Sequence, residues 1–214
     1  MAVVSNLAKL SWRRVKRNAV IPLMKNIFLI VSLFLFISCD NGKNEFNPKS
    51  VALNNEAVDK LKVEDYQPAL NLFDEAIQLD SSYYIAYNNK VTALVQLERY
   101  NDAIVTNKLS LNQKPDLAEG HLFLGMLLEN EGDSIKAKES YKKAIQIFEE
   151  RISKDKMVES NELNLSVAYL FIGEDEKAKT LFEKLKENKK YNETVNFFYK
   201  SNKEEIIKQL LHKN

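Results

Sequence analysis

The sequence predicts an all-α protein built as an array of repeated helical hairpins, and three observations support this prediction. The 214 residues include five glycines and four prolines, whereas leucine, alanine, lysine and glutamate are abundant, which is typical of helical proteins. Segments that begin at Tyr66, Tyr100 and Ser134 are equally spaced along the chain. Each segment carries an alanine three residues later, so one helical unit recurs along the chain.

The period, roughly 34 residues, and the residues within it resemble those of the tetratricopeptide repeat (TPR). That family places a small residue early in the second helix, a large apolar residue four positions later and a small residue three beyond. The full matches are Ala69, Phe73 and Ala76 in the first unit and Ala137, Tyr141 and Ala144 in the third. The second unit is a weaker copy, with Ala103, Asn107 and Ser110. A generic helical bundle is the alternative, and the two equal intervals argue against it.

A fourth unit extends from Leu163 to Phe182, but it is displaced from the period. Its alanine, Ala178, follows Ala137 by seven positions more than the period. Seven residues make two helical turns, so an insertion within 148–157 keeps the same face of the helix towards its neighbours. We therefore expect the second helix of the third unit to be long.

The resemblance implies a right-handed superhelical array of about four TPR helix-turn-helix hairpins with a C-terminal capping helix. The expected bounds are 50–83, 84–117, 118–158 and 159–190 for the repeats and 191–214 for the cap. Gly132 and Gly173 lie where each hairpin turns, and we expect positive φ there because glycine adopts it readily.

The last helix is predicted from Asn202, an N-cap residue, followed three positions later by Glu205. The apolar residues after it, Ile206, Ile207 and Leu211, fall on one side of a helix. A repeat array needs a terminal helix with a polar outer side, which makes capping the expected role. The alternative is that this helix lies in the array's own groove.

The N-terminal segment has the features of a secretory signal peptide: basic residues, then an apolar run over Ile27–Ile37, then a small residue, Ser38. The following residue, Cys39, resembles the lipidated cysteine of bacterial lipoproteins, although Phe36 stands where that motif usually has leucine. This resemblance implies removal of 1–38, lipidation of Cys39 and a polar tether over 39–49.

Other interpretations of this segment stay open. The apolar stretch is nearly long enough for an uncleaved membrane anchor. A separate alternative is that Cys39 is an inert free thiol. Met24 followed by Lys25 begins a signal peptide of ordinary length. In that case 1–23 is an upstream extension of the natural chain.

Charge is distributed unevenly along the chain. Six bases and no acid precede Cys39, so the remainder has 25 basic and 30 acidic side chains, a charge of −5. Binding to a phosphate backbone requires a basic surface, which argues against nucleic acid as a partner.

The sequence predicts no enzyme, no cofactor and no metal site. His121 and His212 have no partner arrangement for a metal or an activated nucleophile, and a structural role is expected for each. Phosphate-binding loops and hydrolase motifs are absent from the sequence.

The resemblance implies that the first helices of successive units line a concave groove that binds a segment of another protein. Amides and hydroxyls predominate among the nine groove candidates. They are Asn54, Asn88, Asn89, Thr92, Gln96, Phe123, Met126, Asn130 and Asn164. Ordinary helix surface is the alternative for all of them, and packing between repeats is the alternative for Phe123 and Met126.

Chaperone-binding members of the family clamp a C-terminal carboxylate with Lys, Asn and Arg side chains, and this sequence departs from that set. Asn89 matches one position, but Val58 replaces an asparagine. Gly125 and Glu129 stand where the third unit would need Lys and Arg. The sequence therefore disfavours a co-chaperone role.

These features together predict an exported, membrane-anchored scaffold or adaptor that binds another protein through its concave groove. Its predicted location is the bacterial cell envelope, facing away from the cytoplasm into the periplasm or at the outer membrane. Two other functions stay open: an accessory lipoprotein that captures peptide or glycan for an envelope enzyme or transporter, and an enzyme with an unrecognised site.

Overall fold

The computed structural model describes residues 46–154 and 157–211, and within these ranges all regular secondary structure is helical. The predicted signal peptide and Cys39 lie outside the described residues. The ten helices of these ranges are α1 (Pro48–Lys62), α2 (Tyr66–Leu79), α3 (Tyr84–Gln96), α4 (Tyr100–Gln113), α5 (Ala118–Asn130), α6 (Ser134–Ser153), α7 (Val158–Ile172), α8 (Asp175–Lys186), α9 (Asn192–Lys200) and α10 (Lys203–Leu211). None of them is both long enough and apolar enough to cross a membrane.

The first eight helices form four hairpins in chain order: α1 with α2, α3 with α4, α5 with α6 and α7 with α8. Each hairpin also packs against the next through α2 and α3, α4 and α5, and α6 and α7. The first helices α1 and α3 touch each other directly. The predicted all-α array of TPR-type hairpins is therefore confirmed.

All four hairpin turns place a residue in the left-handed region at the same position of the repeat. These residues are Glu64 with φ 60°, Glu98 with φ 58°, Gly132 with φ 83° and Gly173 with φ 85°. The positive φ expected at the two glycines is confirmed. The two glutamates adopt the same conformation at a steric cost that glycine avoids.

The two helices of the third hairpin approach each other closely at Gly125. A Cβ atom added to Gly125 of α5 would lie 2.3 Å from Cε1 of Tyr141 on α6. Tyr141 and Phe73, its counterpart in the first unit, are both fully buried. A small residue on the first helix therefore lets an aromatic ring fill the space between the two helices.

The second helix of the third hairpin is extended, as the displaced fourth unit predicts. Helix α6 has 20 residues, whereas α2 and α4 have 14 each. Its last turns are held on both sides: Arg151 Nη1 donates to both carboxylate oxygens of Glu119 at 2.8 and 3.0 Å, and Tyr169 of α7 donates to Glu149 at 2.5 Å. The extension is thus a packed part of the array.

Two helices, rather than one, follow the fourth hairpin. Helix α9 packs on α8, and the Phe198 ring stacks with that of Phe182 at a centroid distance of 6.1 Å. Helix α10 begins with the predicted capping box, in which Glu205 N donates to Asn202 Oδ1 at 2.9 Å and Asn202 N donates to Glu205 Oε2 at 3.1 Å. Helix α10 lies against α5, the first helix of the third hairpin.

Candidate functional site

The first helices of the hairpins, α1, α3, α5 and α7, form a surface that we call the inner face. Of the nine predicted groove residues, seven are buried and two, Gln96 and Asn130, are half-buried. Most of the predicted groove amides therefore lie between helices. The sequence identified the helices that carry these residues but not how far each side chain is covered.

One buried pair of amides joins the first helices of the first two hairpins. Asn89 of α3, which is fully buried, donates through Nδ2 to Oδ1 of Asn54 on α1 at 2.8 Å. Asn54 is itself only 3% exposed. A buried amide that finds a partner fixes the register of the two helices, because a shift would leave it unpaired.

A second buried amide closes the hairpin formed by α3 and α4. Ser110 Oγ donates to Asn88 Oδ1 at 2.6 Å and lies 3.3 Å from the carbonyl oxygen of Tyr84. In the first unit the serine is on the first helix and the acceptor is on the second, since Ser50 Oγ donates to the carbonyl oxygen of Ala76 at 2.8 Å. Both serines bond to the opposite helix of their own hairpin at the same separation along the chain, so these hydroxyls stabilise the hairpins.

The remaining groove candidates divide into polar and apolar residues. Thr92 is 9% exposed, and Gln96 Oε1 lies 3.4 Å from the hydroxyl of Tyr66. Phe123 and Met126 are buried in the main hydrophobic core, which is the packing role that the sequence left open for them. Asn164 on α7 is 2% exposed and its Oδ1 has no hydrogen-bond partner among the described residues.

Helix α10 covers part of the inner face, close to the C-terminal ends of α5 and α7. Lys203 Nζ lies 2.7 Å from Oε2 of Glu129 in the last turn of α5. It also lies 5.9 Å from the ring centroid of Phe171, in the last turn of α7. At the other end of α10, the Tyr100 hydroxyl donates to the carbonyl oxygen of Leu211 at 3.0 Å. The helix thus extends from the fourth hairpin back to the second.

The apolar side of α10 faces the array. Ile206, Ile207 and Leu211 are 0%, 8% and 1% exposed and belong to the main core. Fully burying a side chain of this size contributes about 1.5–3 kcal/mol relative to leaving it exposed. The apolar contacts therefore supply most of the attraction, and the charge and the hydroxyl at the two ends orient the helix.

The ring of Tyr141, near the start of α10, is fully buried. Burial raises the pKa of the Tyr141 hydroxyl well above its ordinary value, and the neighbouring Glu129 carboxylate raises it further. That hydroxyl is buried without a hydrogen-bond partner among the described residues. Lys203 Nζ lies 5.8 Å from the same ring. Tyr141 therefore stays neutral and acts here as an apolar surface with a weakly polar tip.

Sequence reasoning missed the three residues that contact α10: Glu129 and Phe171 on the inner face, and Tyr100 at the start of the second helix α4. It identified Glu129 only as a position where a clamp residue was lacking. The signal that could have identified it was the charge of Lys203 at the start of an amphipathic helix. A base beside an apolar stripe favours an acidic partner on the surface that the stripe contacts.

The histidine at position 121 has a structural contact. Its Nε2 donates to the carbonyl oxygen of Pro115 at 2.9 Å. Burial lowers the pKa of His121, and the bond to Pro115 opposes part of that change. His212 lies outside the described residues. Among the described residues, no group of His, Cys, Asp and Glu side chains is placed to hold a metal ion.

Residues 118–151, which make up most of the third hairpin, match the family model described as Tetratricopeptide repeat. This match confirms the TPR resemblance for that unit.

Three curated relatives match part of the chain. Protein STIP1 homolog of Dictyostelium discoideum is 34% identical over 74 residues, which are 35% of this chain and 13% of the relative. The Hsp70-Hsp90 organizing protein of Triticum aestivum is 31% identical over 80 residues, 37% of this chain and 14% of the relative. The TPR and J domain-containing co-chaperone DNJ1 of Cryptococcus neoformans is 29% identical over 113 residues, 51% of this chain and 22% of the relative. The chain thus spans less than a quarter of each.

Among solved structures, the first TPR of Spaghetti bound to the HSP90 peptide SRMEEVD aligns with a TM-score of 0.48 and 13% identity. The alignment covers 62% of this chain and 99% of that one.

The prediction that the protein is located in the cell envelope is wrong, because the curated relatives contradict it. A chaperone-organising protein and a co-chaperone point away from a lipid-anchored protein that faces the periplasm or outer membrane. The prediction depended on the basic and apolar pattern before Cys39, which lies outside the described residues. That pattern is local in composition and carries no information about the repeats that follow it.

Proposed function

We propose that this chain is a scaffold or adaptor that binds a segment of another protein on its inner face. The observation that carries the proposal is that this face already accommodates a polypeptide helix, since α10 lies against α5 with three apolar side chains buried. A surface that accepts one amphipathic helix has the width, apolar character and charge needed to accept another.

The repeat architecture supports this proposal. Consecutive hairpins place their first helices side by side, so side chains project at fixed intervals over several units. The relatives named above organise or assist chaperones according to their names, and their similarity is confined to part of each chain. Binding a protein segment is the common physical task of such arrays.

A second candidate is capture of an acidic C-terminal peptide of a chaperone, which the names of the relatives favour. The inner face offers little for such a ligand. The Asn89 amide donates to Asn54 inside the array, Val58 has no polar group, and Glu129 would repel a carboxylate. We therefore rank this candidate second.

Site-specific photo-crosslinking in the cells that produce the protein tests the proposal. A photoreactive amino acid replaces Gln96 on the inner face in one full-length variant and Val105, which is 59% exposed on the second helix α4, in a matched control. We expect defined adducts from position 96 that map to one partner segment, and none from position 105. Equal adducts from both positions would refute a specific inner-face site.

A titration with the peptide SRMEEVD separates the two candidates. We expect no saturable binding to the full-length chain by calorimetry, because the inner face lacks the basic set that holds a terminal carboxylate. Saturable binding that is lost when the peptide C-terminus is amidated would favour the second candidate instead.

A further inference from the structure

Helix α10 is not needed to cap the array. Helix α9 already covers α8, the last helix of the fourth hairpin, and buries Val195 completely and Phe198 to 3% exposure. Helix α10 instead turns back at Ser201 and Asn202 and contacts α5, the first helix of the third hairpin. Its position is that of a ligand on the inner face rather than that of a terminal cap.

The attachment of α10 is suited to release. A helix of nine residues is marginal by itself in water, so its structure depends on the surface that it contacts. One edge of that contact is the Lys203 and Glu129 ion pair, whose side chains are 36% and 17% exposed. The opposite edge is the hydrogen bond from Tyr100 to the carbonyl oxygen of Leu211, which is part-buried. Between them lie the three buried apolar side chains.

We propose that α10 is an intramolecular ligand of the inner face, and that the partner binds by replacing it with an amphipathic helix of the same chemistry. This inference rests on the proposed function and adds the class of partner and its regulation. The partner segment carries a basic residue, then branched apolar residues three and four positions later and a leucine eight positions after the base, as α10 does. The unreplaced α10 holds the chain in a closed state.

The charge of Glu129 and the aromatic rings beside it determine that the partner segment carries a basic residue at this point. Glu129 is acidic and only 17% exposed, and Ser134 Oγ donates to its Oε1 at 3.1 Å. A replacing helix that brought no base would leave this largely buried carboxylate without an opposite charge. The rings of Tyr141 and Phe171, at 5.8 and 5.9 Å from Lys203 Nζ, favour a cation at the same point. An acidic segment is disfavoured for the same reason.

The test uses a fluorescent, amidated peptide with the sequence of residues 202–211 and the full-length chain. Two variants release α10 without altering the inner face: Ile206→Asp places a charge in the apolar contact, and Lys208→Pro breaks the helix at an exposed position. Lys208→Ala keeps the helix and serves as the matched control. Circular dichroism checks that each variant retains the helical array.

We expect the peptide to bind both release variants at least tenfold more tightly than it binds the unmodified chain or Lys208→Ala. A peptide with Lys203→Glu should lose at least tenfold in affinity for the released chain, and Glu129→Lys in the chain should restore it. Equal affinity for released and unmodified chains would overturn the inference, as would indifference to the charge at position 203. If one release variant fails to fold, the other decides.

The two proposals fail in different ways. If the release variants do not bind the peptide, but the photoreactive residue at position 96 still gives an adduct that maps to one partner segment, only the proposed role of α10 is refuted. If position 96 gives no adduct but the release variants bind the peptide tightly, the proposed partner is refuted and α10 is only an intramolecular ligand of the inner face.

Discussion

The second and third hairpins have the same backbone plan but fill it with different chemistry. In the third, Gly125 lies against the ring of Tyr141 so closely that no Cβ fits between them. The counterparts one period earlier are Val91 and Asn107, which are 0% and 2% exposed. Compared with the third hairpin, the second hairpin therefore has a larger residue at this position of its first helix and a smaller one at this position of its second helix.

Polar bonds differ between the two hairpins in the same way. Ser110 bonds to Asn88 across the second hairpin, whereas the corresponding residues of the third hairpin are Ala144 and Leu122, both apolar and buried. The shared period thus specifies where helices begin and turn, and the contents of each unit can vary. What must be kept within a unit is the summed volume and the pairing of buried polar groups.

The largest expected effect comes from filling the close contact of the third hairpin. Gly125→Ala should lower the free energy of unfolding by about 3 kcal/mol, because three ring atoms of Tyr141 lie within 2.8 Å of the new Cβ and a buried ring cannot turn away. This loss should exceed the gain of roughly 1 kcal/mol that alanine brings to a helix. Urea unfolding followed by circular dichroism measures the change.

Gly120→Ala on the same helix is the control. There the nearest atom to a new Cβ is Cδ2 of Leu111 at 2.9 Å, the end of a flexible side chain. We expect a change within about 1 kcal/mol of zero. Similar losses for both variants would contradict the assignment of the third hairpin's stability to the Gly125 contact.

A smaller effect is expected from the polar contact between the first two hairpins. Asn89→Ala should cost about 2 kcal/mol, because it removes a buried hydrogen bond and leaves Oδ1 of Asn54 without this donor. A double-mutant cycle with Asn54→Ala should show a coupling of about 1 kcal/mol. Asn101→Ala, at an exposed position on α4, should change stability by less than about 0.5 kcal/mol. Absence of coupling in urea unfolding would place the effect of Asn89 elsewhere.

Sequence reasoning succeeded where one local rule decided the outcome. The regular spacing predicted the hairpins, the offset of Ala178 predicted the long α6, and Gly132 and Gly173 predicted positive φ. It gave no warning that Glu64 and Glu98 adopt positive φ as well. Glutamate disfavours that conformation, and only the period shared with the glycines reveals it.

The inner face was less predictable because it depends on contacts between distant parts of the chain. The TPR resemblance predicted that Asn88 and Asn89 face the groove, but their side chains bond to Ser110 and Asn54 on other helices. The placement of α10 was one of two alternatives at the sequence level. Its amphipathic pattern requires an apolar partner surface but does not identify which surface that is.

The smallest effect concerns the turns, where the early and late hairpins differ by one residue each. Glu98 occupies at φ 58° the position that Gly132 occupies at φ 83° in the next unit. Glu98→Gly should raise the free energy of unfolding by up to about 1 kcal/mol, because relief of the steric cost exceeds the added flexibility of the unfolded chain. The reciprocal change Gly132→Ala should lower it by about 1 kcal/mol, although no atom lies within 4 Å of the new Cβ. Opposite signs in urea unfolding would assign the difference to backbone conformation, whereas a loss in both variants would show that the Glu98 side chain contributes contacts that outweigh its strain.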